Sequence, residues 1–294
     1  MFYRRKIILA LLQAFEGNLP KISLQKLLFL FTERQSKRDY DFVPYKYGCY
    51  SFSANADLVA MVGHGQLLED QASYTKIDSE NYVKLLNEKD KKILIDIKNS
   101  YSNLTTNSLI KLTYLNYQYY SINSVKAKEI LTDEQYQSVL KAKPVNDKTI
   151  LYTIGYEGIS LEEYLNRLVK NDVKILVDVR NNPLSMKFGF SKKQLKAFSQ
   201  NLGIDYLHIP EVGIQSDQRQ KLNTQKDYDK LFDTYKKQNL KKTISHQEQI
   251  FDLLKERKRI ALTCFEANIC QCHRKHLAEA IVKLPEWNFE LKHI

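Results

Sequence analysis

Glycine and proline are scarce in this sequence, 9 and 6 of 294 residues, so neither a collagen-like repeat nor a linker-dominated chain fits it. Cysteine is scarcer. Cys49, Cys264, Cys270 and Cys272 are too few for a disulfide scaffold, and three of them fall within nine positions. That clustering fits reduced thiols in the cytoplasm. No apolar run approaches the roughly 20 residues of a membrane helix, so no membrane partner is expected. Arg4, Arg5 and Lys6 ahead of Ile7 to Leu12 imitate a signal peptide, but Gln13 and Glu16 interrupt the run and no small-residue cleavage site follows. An amphipathic helix is the expected reading. Neither Gly-x-Gly-x-x-Gly nor Gly-x-x-x-x-Gly-Lys-Ser/Thr follows any strand-like run, which argues against a dinucleotide-binding dehydrogenase and a P-loop enzyme. No cofactor is expected on these grounds.

What is present describes a folded protein. Hydrophobic residues make up 43% and aromatic ones 11%, enough for a proper core in each of about two domains. Lys and Arg exceed Asp and Glu by 45 to 34; the first 150 positions hold 21 basic and 16 acidic residues, leaving 24 and 18 for the rest. The halves therefore carry +5 and +6. A spread excess of this kind permits contact with DNA or RNA but marks no basic arm.

The first 143 residues read as a mostly helical, winged-helix-like module. Ile7, Ala10, Leu11 and Ala14 recur at helical spacing within Tyr3 to Phe15. A second helix is expected with Ser23 as its N-cap and Leu24, Leu27, Leu28 and Phe31 on its buried stripe, with Gln25 and Lys26 off it. Tyr40 to Tyr50 reads as extended, Asn55 to Val62 as helical. Two further helices are expected at Ser108 to Tyr120 and Asp133 to Leu140. Tyr114, Tyr117, Tyr119 and Tyr120 there could stack on bases or, more simply, pack with wet hydroxyls. The polar segment Lys141 to Lys148 reads as a linker.

From 150 to 294 the pattern becomes α/β. Strands at Ile150 to Ile154, Lys174 to Val179, Tyr206 to Ile209 and Arg259 to Cys264 alternate with helices at Leu161 to Lys170, Lys192 to Leu202, Ile244 to Arg257 and His273 to Leu284. Alternation implies a mainly parallel sheet between helix layers, and Phe289 to Ile294 adds an edge strand. Ligands of such sheets sit outside the carboxyl ends of the strands. Those ends deliver Gly155, Tyr156, Glu157 and Gly158; then Asp178, Arg180, Asn181, Asn182 and Pro183; then His208, Pro210 and Glu211; then Cys264 and Glu266, with Cys270, Cys272, His273 and Arg274 opening the last helix. Turn chemistry explains one such group more readily than four on one edge.

These strings resemble a known family. Thr153-Ile154-Gly155-Tyr156, Val177-Asp178-Val179-Arg180 with Pro183, Tyr206-Leu207-His208-Ile209-Pro210-Glu211, Cys264 with Glu266, Cys272-His273-Arg274 and the closing Lys292-His293-Ile294 are similar to landmarks of the domain of unknown function 488. The resemblance implies a Rossmann-like fold and a shared pocket at Tyr156, Asp178, Arg180, His208, Glu211, Cys264, Glu266, Cys272, His273 and Arg274. Leu24-Gln25-Lys26-Leu27-Leu28 and Tyr45-Lys46-Tyr47-Gly48 more faintly resemble antitoxin-like and phage-associated modules, with Cys49 where those carry proline. That likeness implies a recognition or regulatory role, with a possible protein partner.

The chemistry expected of the α/β half is an enzyme acting on a phosphate-bearing substrate, nucleic acid or nucleotide. Arg180, Arg274, His273 and His208 are the phosphate-binding candidates, the last helix offering free N–H groups and the arginines paired donors. Glu266 and Glu211 are the candidates for general base and acid. Cys272 is a candidate nucleophile whose pKa a helix N-terminus would depress, and Tyr156 and Asp178 complete the catalytic set. Structural alternatives stand beside these: Cys264 as core, His208 as a satisfied core histidine, Asp178 as partner of a buried arginine. Zinc on Cys264, Cys270, Cys272 and His273 is the minority reading, and a non-enzymatic binding protein the third. Gln215 to Lys230, with Arg219, Lys221 and Lys226, could form a lid or track a nucleic-acid backbone; a solvated insertion is its plainer reading.

Overall fold

The computed structural model describes residues 1–215, 218, 222 and 224–294. The chain divides into two compact units, Met1–Lys143 and Pro144–Ile294.

The first unit runs α1 (Tyr3–Ala14), β1 (Asn18–Pro20), α2 (Lys21–Thr32), β2 (Val43–Tyr45), β3 (Gly48–Tyr50), α3 (Phe52–Gly63), β4 (Leu67–Glu69), β5 (Ser73–Lys76), α4 (Glu88–Tyr101), α5 (Thr106–Asn116), α6 (Ala127–Ile130) and α7 (Asp133–Lys141). Strands β1, β5 and β4 form an antiparallel sheet in that order, and β2 pairs β3 as a separate hairpin. The sequence pattern hid β1, β4, β5 and α4. The strands are three or four residues long, too short to display alternation. Helix α4 buries Leu94 and Ile97 within a lysine-rich stretch.

Helix α2 departs from expectation twice. It starts at Lys21, directly after Pro20, so Ser23 lies inside the helix and meets Thr106 Oγ1 at 2.8 Å instead of capping. It is also buried without a break from Ser23 to Thr32, Gln25 and Lys26 included, because α1, α4, α5 and β3 surround it. The tyrosines pack: Tyr114 is fully buried, and the Tyr117 and Tyr120 rings stand edge-on to Phe29 at 4.8 Å.

The second unit holds a five-stranded, wholly parallel sheet. Its strands are β6 (Ile150–Gly155), β7 (Ile175–Asp178), β8 (Asp205–His208), β9 (Arg259–Cys264) and β10 (Glu290–His293), in the order β10-β6-β9-β7-β8. Strands β6 and β9 are buried at every position, as strands covered on both faces are. Leu151, Val177, Ile260 and Leu262 share one core with Ile250 and Leu254 of α11 (Ile244–Arg257) and Leu277 and Ile281 of α12 (His273–Val282). Side chains alternate along a strand, so Thr263 faces the other way. There Tyr164 of α8 (Leu161–Lys170) donates its hydroxyl to Thr263 Oγ1 at 2.7 Å. Helices thus cover both faces, the three-layer α/β arrangement that strand and helix alternation implies. Helix α9 (Lys192–Asn201) packs beside β8.

One helix of this unit was not legible. Within the polar run after β8, α10 (Gln225–Thr234) opens on a Thr224–Asp227 capping box and continues into a π-helical turn at Tyr235–Leu240. It buries Phe232 and Tyr235 in the core shared with α12. Lys226 therefore sits in a helical first turn and not in a loop, while Arg219 and Lys221 lie outside the described residues.

Candidate functional site

Register gathers the strand ends on one edge. Gly155 pairs with Cys264, and Asp178 with both Thr263 and His208, so the segments that follow β6, β7, β8 and β9 emerge together.

Part of this edge is a closed polar cage. Asp178 is fully buried and accepts from Arg180 Nε at 2.8 Å and Nη2 at 2.5 Å, and from the Tyr206 hydroxyl at 2.6 Å. Arg180 Nη1 donates to the Tyr156 hydroxyl at 2.7 Å and the Phe190 carbonyl at 2.9 Å. Burial alone would lower the arginine's pKa; the bonds and charge of Asp178 more than reverse that, leaving it raised. Burial pushes the Tyr156 and Tyr206 phenols up. Arg180 was expected to present a fork to phosphate, and its donors are engaged by protein groups instead. The Tyr156 ring stacks on Phe190 with centroids 4.2 Å apart.

His208 is likewise occupied. A backbone carbonyl only accepts, so Nε2 donates to Arg180 O at 2.8 Å and Nδ1 accepts from Lys192 Nζ at 2.9 Å. Glu211 is exposed on the 3₁₀ turn Pro210–Val212 and faces His246 Nε2 at 3.9 Å. Arg274, the other expected phosphate ligand, is buried; Nη1 donates to the Glu266 carbonyl and Nη2 to that of Ala267 at 3.3 Å. Its Nε is buried with no hydrogen-bond partner among the described residues.

The remaining residues converge. Cys264 ends β9, Cys272 caps α12 and His273 begins it; all three are buried, with their ligand-type atoms within 4.8 Å of one another. Cys264 Sγ lies 3.1 Å from Glu266 Oε2 and 3.6 Å from His273 Nδ1. Burial, then the contact with Cys264 and the charges of Cys264 and Glu266, push the Cys272 thiol well above its ordinary pKa. The depressed pKa expected at a helix N-terminus is overturned, because burial outweighs the dipole. Cys270 stands apart, exposed, with its Sγ 3.8 Å from Lys275 Nζ. Of the four expected zinc ligands, three are together.

The cluster joins two neighbouring crevices. One, of about 370 Å³, is lined by Cys264, Tyr156, Arg180, Asn181, Asn182 and Ser185. The other, of about 250 Å³, is lined by Glu266, His273, Gln271 and Glu157; Ile214 and Phe265 line both. Leu184 and Met186 stand exposed at the rim of the first.

Residues 160–281 match the family described as Domain of unknown function DUF488. The resemblance read from the motifs holds over that span. The DUF488 match takes in Asp178, Arg180, His208, Glu211 and the whole Cys264 to Arg274 segment, while Tyr156, β6 and β10 lie outside it. No curated protein matches the chain.

Three features escaped the sequence reading. Lys187 donates to the Tyr156 carbonyl at 2.6 Å beside the first crevice, its pKa lowered by burial. Gly155 leaves room for the Glu266 backbone, a contact that only register discloses. In the first unit, a cavity of about 230 Å³ is lined by Lys26, Cys49, Tyr45, Tyr47, Tyr50 and Tyr74. Lys26 Nζ donates to Cys49 O at 3.0 Å and Sγ at 3.4 Å, and no carboxylate within ion-pair distance of it is found among the described residues. Lys26 within Leu24-Gln25-Lys26-Leu27-Leu28, in a helix whose apolar surface is wider than one face, is the available signal.

Proposed function

We propose that the α/β unit is an enzyme that hydrolyses a phosphoester in a nucleotide or nucleic acid, with Glu266 as the general base. The observation that carries this reading is the Glu266 carboxylate, 3.1 Å from Cys264 Sγ, where the crevice walled by Arg180, Asn181, Asn182 and Ser185 meets its neighbour. A carboxylate at such a junction can take a proton from attacking water while side-chain amides and a hydroxyl hold phosphate oxygens. The exposed Phe265, Leu184 and Met186 offer apolar surface to a base. The net charge of +11 favours a polyanion. The thiols fit a reducing, cytoplasmic setting.

For the first unit we propose a recognition role of the winged-helix kind, supported by helices combined with a three-stranded antiparallel sheet. A second reading is binding without turnover: Arg180 and Arg274 are held by protein groups, which takes both guanidinium groups away from stabilising a transition state.

The test is a panel of nucleotides, single- and double-stranded DNA and RNA, assayed for cleavage and for binding across a salt series. Glu266→Gln is expected to lower turnover by about 100-fold or more while binding persists. Binding that falls steeply with salt and no cleavage by wild type would establish the second reading. Neither binding nor cleavage would overturn both.

A further inference from the structure

The Cys264, Cys272 and His273 cluster has a geometry that the acid–base reading leaves unused. Three ligand-type side chains converge within 4.8 Å, and all are buried. His273 Nε2 donates to Val179 O at 3.0 Å, which places the proton on Nε2 and leaves the Nδ1 lone pair toward the thiols. Cys264 Sγ and His273 Nδ1 are 3.6 Å apart. Two tetrahedral bonds of about 2.3 Å to sulfur and about 2.1 Å to nitrogen subtend about 3.6 Å, the same separation.

We infer that Cys264 Sγ, Cys272 Sγ and His273 Nδ1 bind one zinc ion, with Cys270 outside the set. Two thiolates cancel the dication's charge, and binding releases their two protons. The negative Glu266 beside the site and the buried Arg274 guanidinium, close enough to act on the Cys272 thiol, offset one another. Three protein ligands leave the fourth position open, the arrangement of catalytic and not structural zinc. Thiolate with imidazole selects zinc over the hard cations magnesium and calcium. The inference deepens the hydrolytic reading at the same site: water in the fourth position is the group that Glu266 would deprotonate. The hydroxide oxygen then bonds to phosphorus, the phosphorus–oxygen ester bond breaks, and the departing oxygen takes up a proton.

The experiment is metal analysis of the full chain, as purified and after apo-protein is titrated with zinc or cobalt. About one zinc per chain is expected in wild type and in Cys270→Ser, and almost none in Cys264→Ser or Cys272→Ser. Because those two variants can fail to fold, wild type is also loaded with cobalt, where thiolate-to-metal charge-transfer absorption and intense tetrahedral d–d bands are expected. Wild type that takes up neither metal, cobalt spectra without thiolate bands, or a Cys270→Ser protein that loses its zinc would overturn the site. Stoichiometric zinc without cleavage of any panel substrate would sink the hydrolytic reading and leave the metal site standing. Cleavage by metal-free protein would leave the hydrolytic reading standing and sink the part given to zinc in it.

Discussion

His273 donates from Nε2 to the carbonyl oxygen of Val179, 3.0 Å away, and so ties the opening of α12 to the end of β7. Val179 lies between Asp178 and Arg180, whose bonds close the polar cage. The cage and the thiol cluster are therefore held by one turn of chain. Distortion of the first reaches the second through a backbone carbonyl.

Removal of one cage partner leaves a buried charge alone. Asp178→Ala strands the Arg180 guanidinium and leaves the Tyr206 hydroxyl without its acceptor. The expected cost is about 3–5 kcal/mol, more than the paired charges contribute, because the remaining ion stays desolvated. Urea unfolding of the full chain reads it, through loss of the transition that reports Trp287, the one tryptophan, in the second unit. A shift below about 1 kcal/mol would show that water reaches Arg180 and that the cage is open.

The sequence disclosed the second unit better than the first. Strands β6 and β9 are long, β-branched and buried on both faces, so periodicity and composition agree on them. Helix α8 carries Ser160 as its cap, acids in its first turn and bases in its last, and it spans Leu161–Lys170 as those signals predict. The site was legible as a roster, because strand ends can be listed without coordinates. Its division into cage and cluster was not, since one hydrogen-bond acceptor more or less decides whether an arginine is a ligand or a strut. The expected alternative that Asp178 pairs with Arg180 is the geometry found. In the first unit, strands of three residues and a helix buried on all sides carry no period to read.

Gly155 is the tightest point of the candidate site. A Cβ there would overlap the Glu266 carbonyl oxygen and stand 2.8 Å from its carbonyl carbon and 3.1 Å from Arg274 Nη1. Backbone cannot swing aside as a side-chain tip can. Gly155→Ala is expected to displace the Glu266–Ala267 turn, costing about 1–3 kcal/mol of stability and lowering turnover further than stability loss accounts for. Gly63→Ala, whose Cβ meets nothing within 4 Å, is the neutral control. Equal behaviour of the two variants in unfolding and activity would show that the turn is free to move.

Lys26 gives the first unit a pH dependence whose sign follows from its burial. Desolvation lowers its pKa from the ordinary 10.5, with Cys49 opposing. Above that value neither folded nor unfolded chain carries the proton. As pH falls below it, the unfolded chain binds a proton that the folded chain refuses, so stability drops until the lowered folded pKa is reached. The slope over that window is about 1.4 kcal/mol per pH unit. Tyr114, pushed up to about 12 by burial, remains protonated throughout. Lys26→Met removes the titrating group and keeps the stem's volume. Between about pH 9 and about pH 7, wild type is therefore expected to lose stability relative to the methionine variant, by up to about 1.4 kcal/mol per pH unit, in urea unfolding of the full chain. Parallel curves would mean that the folded state carries Lys26 as an ammonium, with its charge answered inside the tyrosine-lined cavity.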